Sequence, residues 1–299
     1  MENVLDAKSV KKEFLRRFSC SETMLTVLDR AAGLDWKELE EASDPLCGGI
    51  VAELDAACGA LWGAGLAAGV RARSRIGDRA AASEAALEAT RNAVSAWQRT
   101  GRQLNCGDIL GMRKWSLVQF MLKGNLRVCQ GQLCDMAPVF HDIIEKTMSE
   151  RGQFTAGARR RNCAAEAFDR VSEAIGLKTD GLGVVVAGLA GGLGLSGNAC
   201  GALAAAILAI SLQYFKERDK PKHSMMRSNL QGFLVGIGWM NPSREAARLF
   251  RSRFHTKLCS EITGRRFAGS EDLATYLDAG RCDSVLEAVA ADAAKALAQ

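Results

Sequence analysis

Proline and tyrosine are scarce in this 299-residue chain, at four and two copies. That scarcity turns the composition, whose apolar share is dominated by alanine, towards helix and away from a β sandwich. No Cys-x-x-Cys pair occurs, so the thioredoxin-like dithiol motif and the paired knuckles of zinc ribbons are both missing. Cys-x-x-Cys-His is absent as well, which excludes covalent c-type haem. The three histidines, His141, His223 and His255, form no triad-like constellation, and hydrolytic chemistry has little to stand on. No Lys/Arg stripe interleaves with aromatics, and the formal charge is only +5, so nucleic acid is not an expected partner.

The N-terminal MENVLDAKSVKKEF lacks the uninterrupted apolar stretch of a secretory signal, and the expected location is the cytoplasm. In a reducing compartment the ten cysteines are better read as thiols, metal ligands or catalytic disulfides than as structural staples. A charge-free run from Gly181 to Phe215 is long enough to cross a bilayer, but its glycines, Ser196 and Asn198 interrupt it. A buried helix, apolar all round, is expected there and no membrane span. Within the run, Gly192 to Gly197 matches Gly-x-Gly-x-x-Gly, yet the acidic residue and βαβ context of a dinucleotide fingerprint are missing.

What the chain does have is an internal repeat. Cys20 to Cys58 is 38 residues and Cys163 to Cys200 is 37; Cys106 to Cys129 and Cys259 to Cys282 are both 23. The middle gaps differ, 48 against 59. Neighbours match too: Arg16-Arg17 with Arg159-Arg160, Gly33-Leu34 with Gly176-Leu177, Ala57-Cys-Gly-Ala-Leu61 with Ala199-Cys-Gly-Ala-Leu203. Around the third cysteine, Cys106-Gly-Asp-Ile-Leu-Gly111 reads as Cys259-Ser-Glu-Ile-Thr-Gly264, with Arg91 and Arg244 each fifteen residues upstream. Cys47 and Cys134 stand outside the two quartets, aligned with Leu189 and Glu287. The polar, glycine-containing stretch Glu150 to Ala158 separates two modules, 1–150 and 151–299, and the basic run Arg159 to Arg161 after it reads as a solvated helix start or linker.

Apolar periodicity after Cys20 (Met24, Leu25, Leu28) and Cys163 (Ala167, Phe168, Val171) puts each at a helix start. Cys58, Cys200 and the fourth cysteines open helices as well, while Cys106 and Cys259 are expected near the ends of helices running from Arg91 and Arg244. His255, four residues before Cys259, would then share its helical face. Helix N-termini favour negative charge, so most of these thiols sit where a thiolate is stabilised.

The signature of a helix-start Cys, a glycine-rich approach to Cys-Gly-Ala, then Cys-x-[Asp/Glu]-Ile-x-Gly and a final Cys resembles the redox-active proteins named for their C_GCAxxG_C_C pattern. The resemblance covers both halves, through Cys20, Cys58, Cys106 and Cys129 and through Cys163, Cys200, Cys259 and Cys282. It departs from the pattern at Ala57 and Ala199, which stand where a second cysteine precedes Gly-Cys-Ala, and the terminal glycine survives only as Gly63. Related modules occur with the haem region of split-Soret cytochromes, and the resemblance there implies an iron–sulfur or similar iron centre.

Four converging thiolates are also what a cysteine-ligated iron–sulfur cluster requires, and helix ends of one bundle can supply them without ferredoxin spacing. The expected fold is all-α, two tandem helical bundles related by a pseudo-twofold axis and packed through the Gly/Ala helices that follow Cys58 and Cys200. The expected function is redox chemistry, with iron–sulfur clusters bound by the eight quartet cysteines and a redox partner protein. A thiol/disulfide oxidoreductase and a non-catalytic metal-binding scaffold stand as alternatives. The longer middle gap of the second copy, with the charged stretch Lys216 to His223 and an apolar one from Gly232 to Met240, is expected to cover a site or dock a partner.

Overall fold

The computed structural model describes residues 4–150, 154, 160–218 and 241–298. Among these there is no β-strand, only two isolated antiparallel bridges, Ala57 with Asn105 and Ala199 with Leu258. The first bundle comprises α1 (Ala7–Arg17), α2 (Cys20–Ala31), α3 (Lys37–Ala42), a 3₁₀ turn at Asp44–Leu46, α4 (Gly59–Arg75), α5 (Arg79–Arg99), α6 (Cys106–Leu110), α7 (Leu117–Leu122) and α8 (Asn125–Ser149). The second comprises α9 (Cys163–Ala174), α10 (Gly183–Val186), a 3₁₀ turn at Ala187–Leu189, α11 (Gly201–Arg218), α12 (Asn241–Phe254), α13 (Cys259–Thr263), α14 (Ser270–Asp278) and α15 (Asp283–Leu297). Most of the predicted longer middle-gap segment lies outside the described residues.

Caps place the first cysteine of each bundle. The Ser19 hydroxyl accepts from the Glu22 N–H at 3.3 Å, and the Asn162 side chain accepts from Ala164 and Ala165 at 3.1 and 3.0 Å. Cys20 and Cys163 are therefore the first helical residues of α2 and α9. Arg161, in the basic run, is not simply solvated: it pairs with Glu166 at 2.7 Å and Asp283 at 3.3 Å, tying α9 to α15.

The two bundles share one continuous apolar core. Contact between them runs through the two Gly/Ala helices, as expected, and is reciprocal: α4 lies against residues 183–189 of the second bundle and α11 against residues 37–46 of the first. Gly69 makes the first of these contacts possible, because a Cβ there would collide with the backbone of Val185. The charge-free run is broken into α10, the 3₁₀ turn, a left-handed turn and α11. Among the described residues no helix is long and apolar enough to cross a membrane.

That left-handed turn occurs twice. Residues 48–52 have φ of 61, 74, 64, 50 and 60°, and residues 191–195 have 62, 79, 66, 59 and 64°. Several of their hydrogen bonds correspond, Ala52 N–H to Cys47 C=O with Leu195 to Ala190, and Leu54 to Gly48 with Gly197 to Gly191. This register pairs Cys47 with Ala190, one residue from the position the sequence spacing gives. The Gly-x-Gly-x-x-Gly match is this turn. Each non-glycine residue in it costs about 1–2 kcal/mol, and Ile50 and Val51 are β-branched.

Because Gly69 fills the interface with backbone alone, Gly69→Ala is expected to lower stability by about 1–3 kcal/mol through overpacking. Gly77, whose added Cβ would meet nothing within 4 Å, is the control. Denaturant melts followed by circular dichroism check this: equal midpoints for the two variants would mean that the approach of α4 to Val185 is not tight.

Candidate functional site

Seven of the eight quartet cysteines stand at helix starts. Cys20, Cys106, Cys163 and Cys259 are first helical residues, Cys58 and Cys282 are cap residues, and Cys200 immediately precedes α11. Cys129 differs, lying in the second turn of α8. The third cysteines are a correction to the expected placement, since α5 and α12 stop at Arg99 and Phe254 before Cys106 and Cys259 open α6 and α13. Gly101 and His255, both at positive φ, turn the chain there. His255 is therefore exposed and off the helix that carries Cys259.

Two exchanged backbone hydrogen bonds hold the second and third cysteines together in each bundle. Cys58 N–H donates to Leu104 C=O and Cys106 N–H to Ala56 C=O, both at 2.8 Å. In the second bundle Cys200 N–H donates to Lys257 C=O at 2.7 Å and Cys259 N–H to Asn198 C=O at 2.8 Å. The left-handed turns close the cradle, with the Gly48 N–H aimed at the Cys20 sulfur and the Gly191 N–H at that of Cys163.

Electrostatics shows that each quartet converges. Burial pushes the Cys106 and Cys129 thiols up, and the neighbouring Cys20 adds to it. Cys58 is held well above the ordinary thiol range because it donates a hydrogen bond to Cys20, is buried, and faces Cys20, Cys106 and Cys129. Cys20 moves the other way, to about 7, chiefly through that hydrogen bond from Cys58 and also through the Gly48 N–H. In the second bundle burial raises all four, Cys282 to about 12, and Cys163, Cys259 and Cys282 each feel Cys200. The Cys200 sulfur accepts from the backbone N–H groups of Ala202 and Leu203, which works against the rise. These four thiols line a small apolar cavity with Ile262, Phe267 and Leu273.

All ten cysteines are free thiols. Among the described residues no group of three or more His, Cys, Asp or Glu side chains is set to hold a single metal ion. The donor chemistry nevertheless suits iron: four sulfurs per site, backbone N–H groups aimed at some of them, and apolar surroundings. Cys134 lies away from the quartets, its thiol against the Ala7 carbonyl at 3.6 Å. Cys47 flanks the first quartet, since a Cβ added to Gly59 would meet both the Cys20 sulfur and the Cys47 backbone.

Asn198 is the residue that sequence reasoning missed. Its Oδ1 accepts from the N–H of Ala57 at 2.7 Å and of Ala199 at 2.8 Å, and its Nδ2 donates to Asn105 Oδ1 at 2.7 Å. One side chain thus touches the residues just before Cys58, Cys106 and Cys200, while its own carbonyl holds Cys259. Its only mark in the sequence is an amide within an uncharged run that also holds Gln213. Beside it, buried Lys257 reaches across to Glu53 at 2.8 Å and Asp55 at 2.5 Å.

The acidity of Cys20 is testable in the reduced, metal-free protein. Its alkylation by iodoacetamide should reach half its limiting rate near pH 7, the other quartet thiols reacting only at higher pH. Cys58→Ala removes the hydrogen bond to the thiolate, so the Cys20 midpoint should rise towards the ordinary value of about 8.5. An unmoved midpoint would show that Cys58 is not the cause.

Residues 18–143 and 161–296 each match one family model, described as "Putative redox-active protein (C_GCAxxG_C_C)". Neither the curated proteins nor the solved structures give a match.

Proposed function

This chain belongs to the redox-active C_GCAxxG_C_C family, carrying its module twice, and on that premise we propose that each cysteine quartet ligates an iron–sulfur centre and that the protein carries electrons. The observation behind the reading is the gathering of eight thiols, seven from helix starts, into two convergent sets. Burial, and after it repulsion among neighbouring thiolates, is why the quartet thiols other than Cys20 hold their protons. Bound iron would compensate that charge and, as a cluster, supply one-electron exchange.

The chain's own residues would tune such a centre in three ways. Helix N-termini stabilise anionic sulfur by about 0.3–1 kcal/mol each. Backbone N–H groups of Gly48, Gly191, Ala202 and Leu203 donate to sulfur, which raises a reduction potential by favouring the more negative state. Asn198 fixes the backbone beside both quartets in a single hydrogen-bonded path, so the two centres would be held at constant separation. The proposed setting is the reducing cytoplasm, where free thiols persist.

One observation favours a second reading. Cys20, acidic and hydrogen-bonded to Cys58, has the features of an attacking thiolate beside a resolving thiol. In that case the Cys20 thiolate would attack a partner disulfide, expelling one partner thiolate. Cys58 would then displace the second, leaving a Cys20–Cys58 disulfide and a reduced partner.

Anaerobic reconstitution with iron and sulfide separates the two. A brown protein with acid-labile sulfide is expected, and Cys106→Ala or Cys259→Ala should each remove roughly half of the iron, since one of two centres is lost. Cys47→Ala and Cys134→Glu, which copy the second bundle, should retain all of it. A colourless protein that loses thiols with oxidant and regains them with dithiothreitol would establish the disulfide reading instead.

A further inference from the structure

Among the described residues, four of the six exposed large apolar side chains lie at one place, the other two being Leu15 and Val139. Trp115, Val118, Met121 and Leu122 are 38, 67, 52 and 83% exposed, all on α7 or just before it. The helix is held from beneath by Phe120, which is buried against Trp115 and Phe18 with ring centroids 5.0 and 6.4 Å away. Phe120 belongs to the same small core as Cys106, with Cys129 packed against it. The outer face of α7 is therefore one layer of side chains from the first quartet.

The segment that carries this face, bounded by Asp108 and Asp135, has charge of one sign. From Ile109 to Cys134 the chain has Arg113, Lys114, Lys123 and Arg127 and no carboxylate. All four are exposed and none forms an ion pair among the described residues. Among the described residues the second bundle has nothing comparable: α14, which follows its third cysteine, bears Glu271, Asp272 and Asp278 and exposes no large apolar side chain. The patch is thus not required by the module's fold. An apolar centre of aromatic and Met side chains inside a charged rim is the anatomy of a transient protein interface.

We propose that α7 and its basic rim dock an electron-transfer protein whose own docking face is acidic, bringing the partner's redox group over the first quartet. The occupant follows from charge complementarity: opposite charge steers a partner and sets its orientation, while the apolar centre excludes water. As an electron port the proposal rests on the redox reading above, but docking itself does not require a loaded centre.

The test uses the full chain with two protein probes, an acidic plant-type ferredoxin and a basic cytochrome c, and measures binding by calorimetry. The ferredoxin is expected to bind and to weaken about tenfold or more between low and physiological salt, while the cytochrome does not bind. Val118→Ser with Leu122→Ser, and separately Lys114→Glu with Lys123→Glu, should each weaken ferredoxin binding by about tenfold or more with unchanged thermal melts. Electron transfer from reduced ferredoxin should fall in parallel, while reduction by dithionite should not. Ferredoxin binding without electron transfer would leave the docking face standing and count against the metal centre. Ferredoxin binding that is absent, or the same in the variants as in the wild type, would overturn the proposal. So would binding of phosphatidylglycerol vesicles, or a dimer in sedimentation, that these substitutions abolish.

Discussion

Two pairs of exchanged backbone hydrogen bonds carry the architecture of both cysteine quartets. Where a helical bundle would ordinarily leave its connecting segments free, the residues before Cys58 and Cys106, and before Cys200 and Cys259, form one-rung antiparallel bridges. Each bridge sets two helix starts side by side, and the capped starts at Cys20 and Cys163 and the helices bearing Cys129 and Cys282 complete the rings. The left-handed turns exist to reach these bridges. Leu54 and Gly197 each end such a turn and accept a hydrogen bond from the residue after the third cysteine. Their backbone strain is held by the surrounding packed core, the usual circumstance of strain near a functional site.

The two bundles are alike in backbone but not in electrostatics. In the first, Arg17 is buried among Glu13, Glu22 and Glu40, at 2.5 Å from Glu13 and 2.9 Å from Glu40. Glu40 also accepts from Thr26 at 2.7 Å, so the network binds α1, α2 and α3 into one unit beneath Cys20. Such a network contributes little net stability but is costly to break, because removal of the arginine would strand buried carboxylates. In the second bundle the basic run supplies Arg161, which works near the surface with Glu166 and Asp283. One quartet holds an acidic thiol and the other does not, a difference that rests on the Cys20–Cys58 hydrogen bond.

Helix starts at Cys20, Cys58, Cys163, Cys200 and Cys282 were legible because capping residues, glycine approaches and apolar stripes are local signals. Cys106 and Cys259 were misplaced for an equally local reason. Apolar periodicity from Arg91 and Arg244 continues past the points where Gly101 and His255 turn left-handed, and a histidine at positive φ carries no pattern of its own. That the bundles meet through α4 and α11 was legible in their small residues, but what each meets was not, because small residues indicate close approach without naming the partner. Gly69 meets Val185, and Gly194 meets the backbone of α5 at Thr90 and Arg91.

By itself the sequence determined an all-helical chain, its duplication and the membership of the two quartets, since each is written in spacing and in the propensities of neighbouring residues. Tertiary structure alone decided that Asn198 joins the quartets, that Cys20 rather than its sister Cys163 is acidic, and that the turns before Cys58 and Cys200 are left-handed. Those outcomes depend on groups remote in sequence coming within about 3 Å, the range over which hydrogen bonds act. Periodicity fixes which face of a helix is buried, but hydrogen-bond geometry is settled only when the faces meet.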